Sequence, residues 1–117
     1  MKFLMTYTGD PSAPPPTPEK FEALGKYTVE KVQSGVVVMT GGIVRPTKGT
    51  KVRFAEGKFS VTDGPFPETK ELIDGFAIVQ AKSIEAAIAE AETFMRVAGD
   101  GTGEILRIYD QGDESHH

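Results

Sequence analysis

The sequence predicts a single α+β domain in which two helices cover one face of a mainly antiparallel sheet. Three observations carry this expectation. Two stretches show helical spacing of apolar residues behind recognisable caps, and short β-branched or apolar runs flank each of them. A third, two-stranded pattern surrounds Glu56-Gly57 in the middle of the chain. At 117 residues the chain matches the commonest size of one domain, and no internal repeat divides it.

Lys2 to Thr8 reads as the first strand. Asp10 to Pro18 carries five prolines and reads as an extended surface loop, because proline donates no ladder hydrogen bond. Thr17 and Pro18 then fit the N-cap and first position of a helix, with Glu19 suited to the positive end of the helix dipole. Phe21, Leu24, Thr28 and Val32 fall on one stripe, and Gly35 is placed to stop the helix. Gly25 in its interior costs about 1 kcal/mol relative to alanine. Val36 to Thr40 reads as a buried strand, ended by Gly41-Gly42 as a bulge or exit.

Val52 to Ala55 and Lys58 to Val61 flank the two-residue turn Glu56-Gly57. That register sets Phe54 opposite Phe59 and Val52 opposite Val61, with both apolar pairs on one face. Gly75 to Ala81 is the next strand. Ser83 caps a second helix, with Ile84, Ala87, Ile88, Ala91 and Met95 expected inward and Glu85 and Glu92 outward. Gly99 to Gly103 reads as a loop and Ile105 to Tyr109 as the last strand. The resulting order, β-α-β, hairpin, β-α-β, is the ferredoxin-like arrangement with an inserted hairpin, spanning residues 1–110. Residues 111–117 read as an acidic tail or tag remnant. One helical layer leaves the other sheet face open, so sheet-to-sheet packing in a homodimer is expected.

Composition narrows the function classes. The chain has no cysteine, which removes disulfides, thiolate nucleophiles and cysteine zinc sites. Net charge is -4, and the 13 basic residues form no stripe, so neither nucleic acid nor an anionic membrane surface is an expected partner. No apolar run reaches the length of a secretory core or a membrane span, and a cytoplasmic location is expected. No metal and no cofactor is expected, since the only histidines are His116 and His117 and no phosphate-cradling glycine motif occurs.

The most distinctive segment is Val61-Thr62-Asp63-Gly64-Pro65-Phe66-Pro67-Glu68-Thr69-Lys70-Glu71. With the MKFLMTY opening, the Gly-Gly pair, the glycine-turned hairpin and the late Gly-Phe-Ala-Ile-Val strand, it resembles the DGPF family, related to the YCII-like proteins. The resemblance covers nearly the whole chain. It implies a dimeric α/β-barrel type of ferredoxin-like fold and a link, in some relatives, to transcription regulators, but no established activity. A His–Asp pair proposed as an acid–base site in several relatives has no counterpart, because no histidine lies within the domain.

Read as residues, Asp63-Gly64 is a turn signal, and Pro65 and Pro67 fix the backbone around Phe66. The same loop gathers polar groups. Asp63 is the candidate catalytic carboxylate, its pKa open to adjustment by Glu68, and Lys70 suits an anionic substrate or developing negative charge. Thr62, Glu68, Lys70, Tyr7 and Arg45 are candidate ligand-binding residues around a small-molecule cleft beside the Asp63 loop, with Arg53 and Arg107 as further cations. Each also has a structural role open to it, as turn, surface pair or core aromatic. Two specific alternatives accompany the homodimeric binding domain: a cofactor-free acid–base enzyme of isomerase or hydrolase type using Asp63, and a regulatory interaction module.

Overall fold

A computed structural model describes residues 1–43, 49–63 and 73–110. The expected loop centre Gly64 to Glu71, the candidates Arg45, Glu68 and Lys70, and the tail lie outside the described residues.

The chain begins with β1 (Lys2–Gly9), followed by α1 (Pro18–Gln33) and β2 (Val37–Gly42). A ribbon of β3 (Thr50–Ala55) and β4 (Lys58–Asp63) precedes β5 (Gly75–Gln80), α2 (Ile84–Ala98), the short β6 (Gly101–Thr102) and β7 (Ile105–Ile108). All strand pairings are antiparallel: β1 lies between β5 and β7, β5 between β1 and β2, and β6 extends the β1 pairing at Thr8 and Gly9. The architecture is therefore α+β, with two helices and an antiparallel sheet.

Local chemistry sets the helix ends. Thr17 accepts a hydrogen bond from the Lys20 backbone N–H at 3.2 Å, with Pro18 in the first turn, and Ser83 accepts from Ala86 at 3.1 Å. The expected hairpin forms in the expected register, Val52 opposite Val61 and Phe54 opposite Phe59. Its turn uses Glu56 at φ 53° and Gly57 at φ 76°, the two positive values that match the twist of paired strands.

Three expectations need correction. Gly41-Gly42 is not a bulge but the last two paired residues of β2, Gly41 opposite Phe76 and Gly42 opposite Gly75. A Cβ on Gly41 would stand 3.1 Å from the Phe76 ring, so the missing side chain makes room for the neighbouring aromatic. The irregularity in β2 lies earlier, between Val37 and Met39. Nor is β2 buried, because it is an edge strand with one face open, and Val38 and Met39 are exposed.

The third correction concerns the helices. On α1 no residue is buried, and Phe21 and Val32 are exposed. On α2, Ala87 is fully buried, but Ile84 and Ile88 face outward. The inward side of α2 runs instead through Ala87, Ala91, Phe94 and Met95. Its N-terminal turn presses a small alanine on the sheet, leaving the larger aliphatics at the margin.

The core is small. Phe3, Val79 and Ala87 are its buried centre, with Met5, Val37, Ala77, Ala81 and Ile105 packed around them. Because side chains alternate along strands, Phe3, Met5 and Tyr7 face the helices while Leu4 and Thr6 face the opposite side. No described helix is long and apolar enough to cross a membrane.

Candidate functional site

The sheet and the helices do not close on each other beyond the core. Between them lies a cleft of about 1410 Å³, walled by residues including Phe21, Leu24, Tyr27, Phe94 and Met95 and floored by Ala77 and Val79. The volume exceeds the roughly 300–1,000 Å³ of typical small-ligand pockets, in keeping with a wide cleft open to solvent.

Tyr7 stands at its polar end. β1 carries the ring towards the helices, where it meets Phe94 edge-on at a centroid distance of 5.2 Å, and Tyr27 approaches the same Phe94 at 6.2 Å. The Tyr7 hydroxyl donates to the backbone carbonyls of Gly99 at 2.9 Å and Asp100 at 3.1 Å, which fixes the ring across the chain's return from α2. Gly101 permits this approach, since a Cβ there would lie 2.8 Å from the Tyr7 ring.

Asp74 reaches the same place from the start of β5. Its backbone N–H donates to the Tyr7 carbonyl at 2.8 Å, and its carbonyl accepts from Ile43 at 2.8 Å. Its carboxylate accepts the Gly9 N–H at 2.6 Å. A Cβ on Gly9 would stand 3.3 Å from that carboxylate oxygen and 3.8 Å from the Tyr7 hydroxyl, so glycine keeps the space between the two groups open. Partial burial raises the Tyr7 pKa, and the negative charges of Asp74 and Asp100 raise it further. Tyr7 is thus a neutral hydroxyl at physiological pH.

Beside Tyr27 in the cleft lining, Lys31 of α1 pairs with Glu90 of α2 at 2.9 Å and lies 5.6 Å above the Tyr27 ring centre. The hydrogen bond to Glu90 holds the Lys31 pKa above its usual value. Among the residues lining the cleft are five carboxylates, Asp10, Asp74, Glu90, Asp100 and Glu104, against two lysines, Lys20 and Lys31. Among the described residues no group of three or more histidine, cysteine or acidic side chains is arranged to hold a metal ion.

The sequence-derived candidates separate in space. Tyr7 lines the cleft, whereas Thr62 and Asp63 are not among its lining residues. Both are exposed at the end of β4, where strand alternation turns them to opposite faces of the ribbon. Asp63 accepts a hydrogen bond from the Thr50 hydroxyl at 3.3 Å across the ribbon. Arg53 lies on the ribbon's polar face opposite Ser60, and Arg107 on β7 pairs with Asp110 at 3.4 Å. Asp74 and the aromatics Tyr27 and Phe94 were not singled out by sequence. No signal in the sequence marks Asp74: it follows from the pairing of β1 with β5, which sets Tyr7 opposite Gly75 and the preceding residue near Gly9.

An open antiparallel sheet, a helical layer and an aromatic cleft between them define a small α+β domain with a recessed polar site. A family model, the YCII-related domain, matches residues 1–111, and the chain belongs to that family. It is also 30% identical over 86 residues to an uncharacterized protein of Rhizobium meliloti (strain 1021), an alignment covering 70% of this chain and 68% of the relative.

Proposed function

We propose that the protein is a homodimeric, ferredoxin-like member of the DGPF branch of the YCII-related domains, and that its cleft binds a small organic molecule with an apolar body and an amine at one end. The antiparallel order β7-β1-β5-β2, with the ribbon inserted between β2 and β5, supports the ferredoxin-like reading. The uncovered sheet face carrying Leu4, Met39, Ile78 and Leu106 supports the dimer.

The meeting of Tyr7 with Asp74 at the end of an aromatic-walled cleft is the observation that carries the ligand reading. Aromatic rings accept apolar bodies and the faces of organic cations. Carboxylates and backbone carbonyls accept hydrogen bonds from an ammonium group and repel a carboxylate. The excess of acidic over basic lining groups acts in the same direction; of the two lysines, Lys31 is engaged by Glu90, and Lys20 stands beside Gly99.

Thermal denaturation with matched arylalkyl amines and arylalkyl carboxylates tests this. A ligand that binds only the native state at about tenfold its Kd raises the melting temperature by roughly 5 °C. The amines should produce that rise, the carboxylates should not, and Asp74→Asn should remove it. Equal shifts from acid and amine, or none from either series, would refute the proposed ligand class.

A further inference from the structure

We propose that the β3–β4 ribbon is an arm that covers the open sheet face of a second copy of this chain. The inference rests on the homodimer reading above and specifies how the two copies engage.

An isolated two-stranded hairpin is at best marginally stable in water and needs a surface on which to bury an apolar face. This ribbon has such a face, and it is uncovered. Val52, Phe54, Phe59 and Val61 stand together on one side of the paired strands, exposed by 59%, 72%, 64% and 56%. The other side carries Lys51, Arg53, Lys58, Ser60 and Thr62, a solvent-facing set. Polarity is therefore segregated across the ribbon as it is across a strand pair packed on a core.

The sheet supplies a matching surface. The row Met39, Ile78, Leu4 and Leu106 crosses β2, β5, β1 and β7 on the side away from the helices. Met39 and Leu106 are exposed by 57% and 51%. Among the described residues ribbon and sheet are both left exposed, and neither covers the other. A two-fold pair of copies can satisfy both, each arm lying on the partner's sheet in a self-complementary interface.

Area supports the second copy as occupant. At about 150–250 Å² for an aromatic side chain, the two phenylalanines and two valines of the arm present on the order of 400 Å². The sheet row adds the exposed halves of Met39 and Leu106 and less from the half-buried Leu4 and Ile78, so arm and row together approach the roughly 800 Å² per partner of a stable interface.

Sedimentation of three proteins at micromolar concentration separates this proposal from the dimer on which it rests. The wild type should sediment as a dimer. Phe54→Lys with Phe59→Lys on the arm, and Leu106→Lys on the sheet, should each raise the dimer Kd by roughly 30-fold or more. A dimeric arm variant beside a monomeric sheet variant would overturn the arm and leave sheet-to-sheet pairing standing. A monomeric wild type would overturn both.

Because the chain has no cysteine, a positive test is also clean. Mild oxidation of a mixture of Phe59→Cys and Leu106→Cys proteins should yield mainly the mixed disulfide dimer. Only like-with-like products, or no dimer, would contradict the arm. Retention of the wild-type far-ultraviolet circular dichroism confirms that each variant is folded.

Discussion

Tyr7 combines three constraints in one side chain: an edge-on contact with Phe94, a hydroxyl committed to the Gly99 and Asp100 carbonyls, and the neighbouring charge of Asp74. Its raised pKa has a consequence for stability, shared with Tyr27, which burial also pushes up, and with Lys31. All three bind their proton more tightly in the folded state than in the unfolded chain. The stability they contribute is fully present below their unfolded values, about 10 for these groups, and is lost as pH rises through the folded ones. The urea midpoint should therefore fall between about pH 9 and pH 11, while phenolate absorbance shows part of the tyrosine ionising late. A midpoint that rises over that interval would contradict these assignments. The sequence marks Tyr7 only as a candidate donor on the first strand, and its bonds to the Gly99 and Asp100 carbonyls come from the fold. Asp74 was not legible, because its place depends on a sheet register joining residues far apart in the chain.

At the scale of elements, what was legible is what local chemistry dictates. Thr17-Pro18 and Ser83 mark their helices through backbone hydrogen bonds made within a single turn, and Glu56-Gly57 fixes the hairpin register by itself. What was not legible is which side of each helix meets the sheet. Ile84 and Ile88 share the spacing of Ala87, yet only Ala87, the smallest of the three, is buried against Phe3 and Val79. Gly25 illustrates how the structure resolves an ambiguity of sequence. A Cβ there meets nothing within 4 Å, so no close packing requires glycine. Gly25→Ala should stabilise the protein by about 0.5–1 kcal/mol through helix propensity, read as a higher urea midpoint at unchanged slope. A loss of stability would show that α1 packs against something at this position.

At the scale of the whole molecule, the contrast is between a core centred on Phe3, Val79 and Ala87 and the apolar surface left outside it. The inward-facing aromatics of α1 and α2 line a cleft instead of filling a core, and the sheet and ribbon keep their other apolar faces open. The TDGPF segment drew attention in the sequence as the place where polar groups gather. Among the described residues, the recessed polar groups gather where β1, β5 and the turn after α2 converge, with Asp63 exposed at the ribbon's end.

Amide chemical-shift mapping during titration with an arylalkyl amine reads whether a ligand is held between Tyr7 and Asp74. The largest shifts should fall on Tyr7, Gly9, Asp74, Phe94 and Gly101, with little change along β3 and β4. Shifts confined to the ribbon, or absent throughout the cleft at saturating amine, would contradict it.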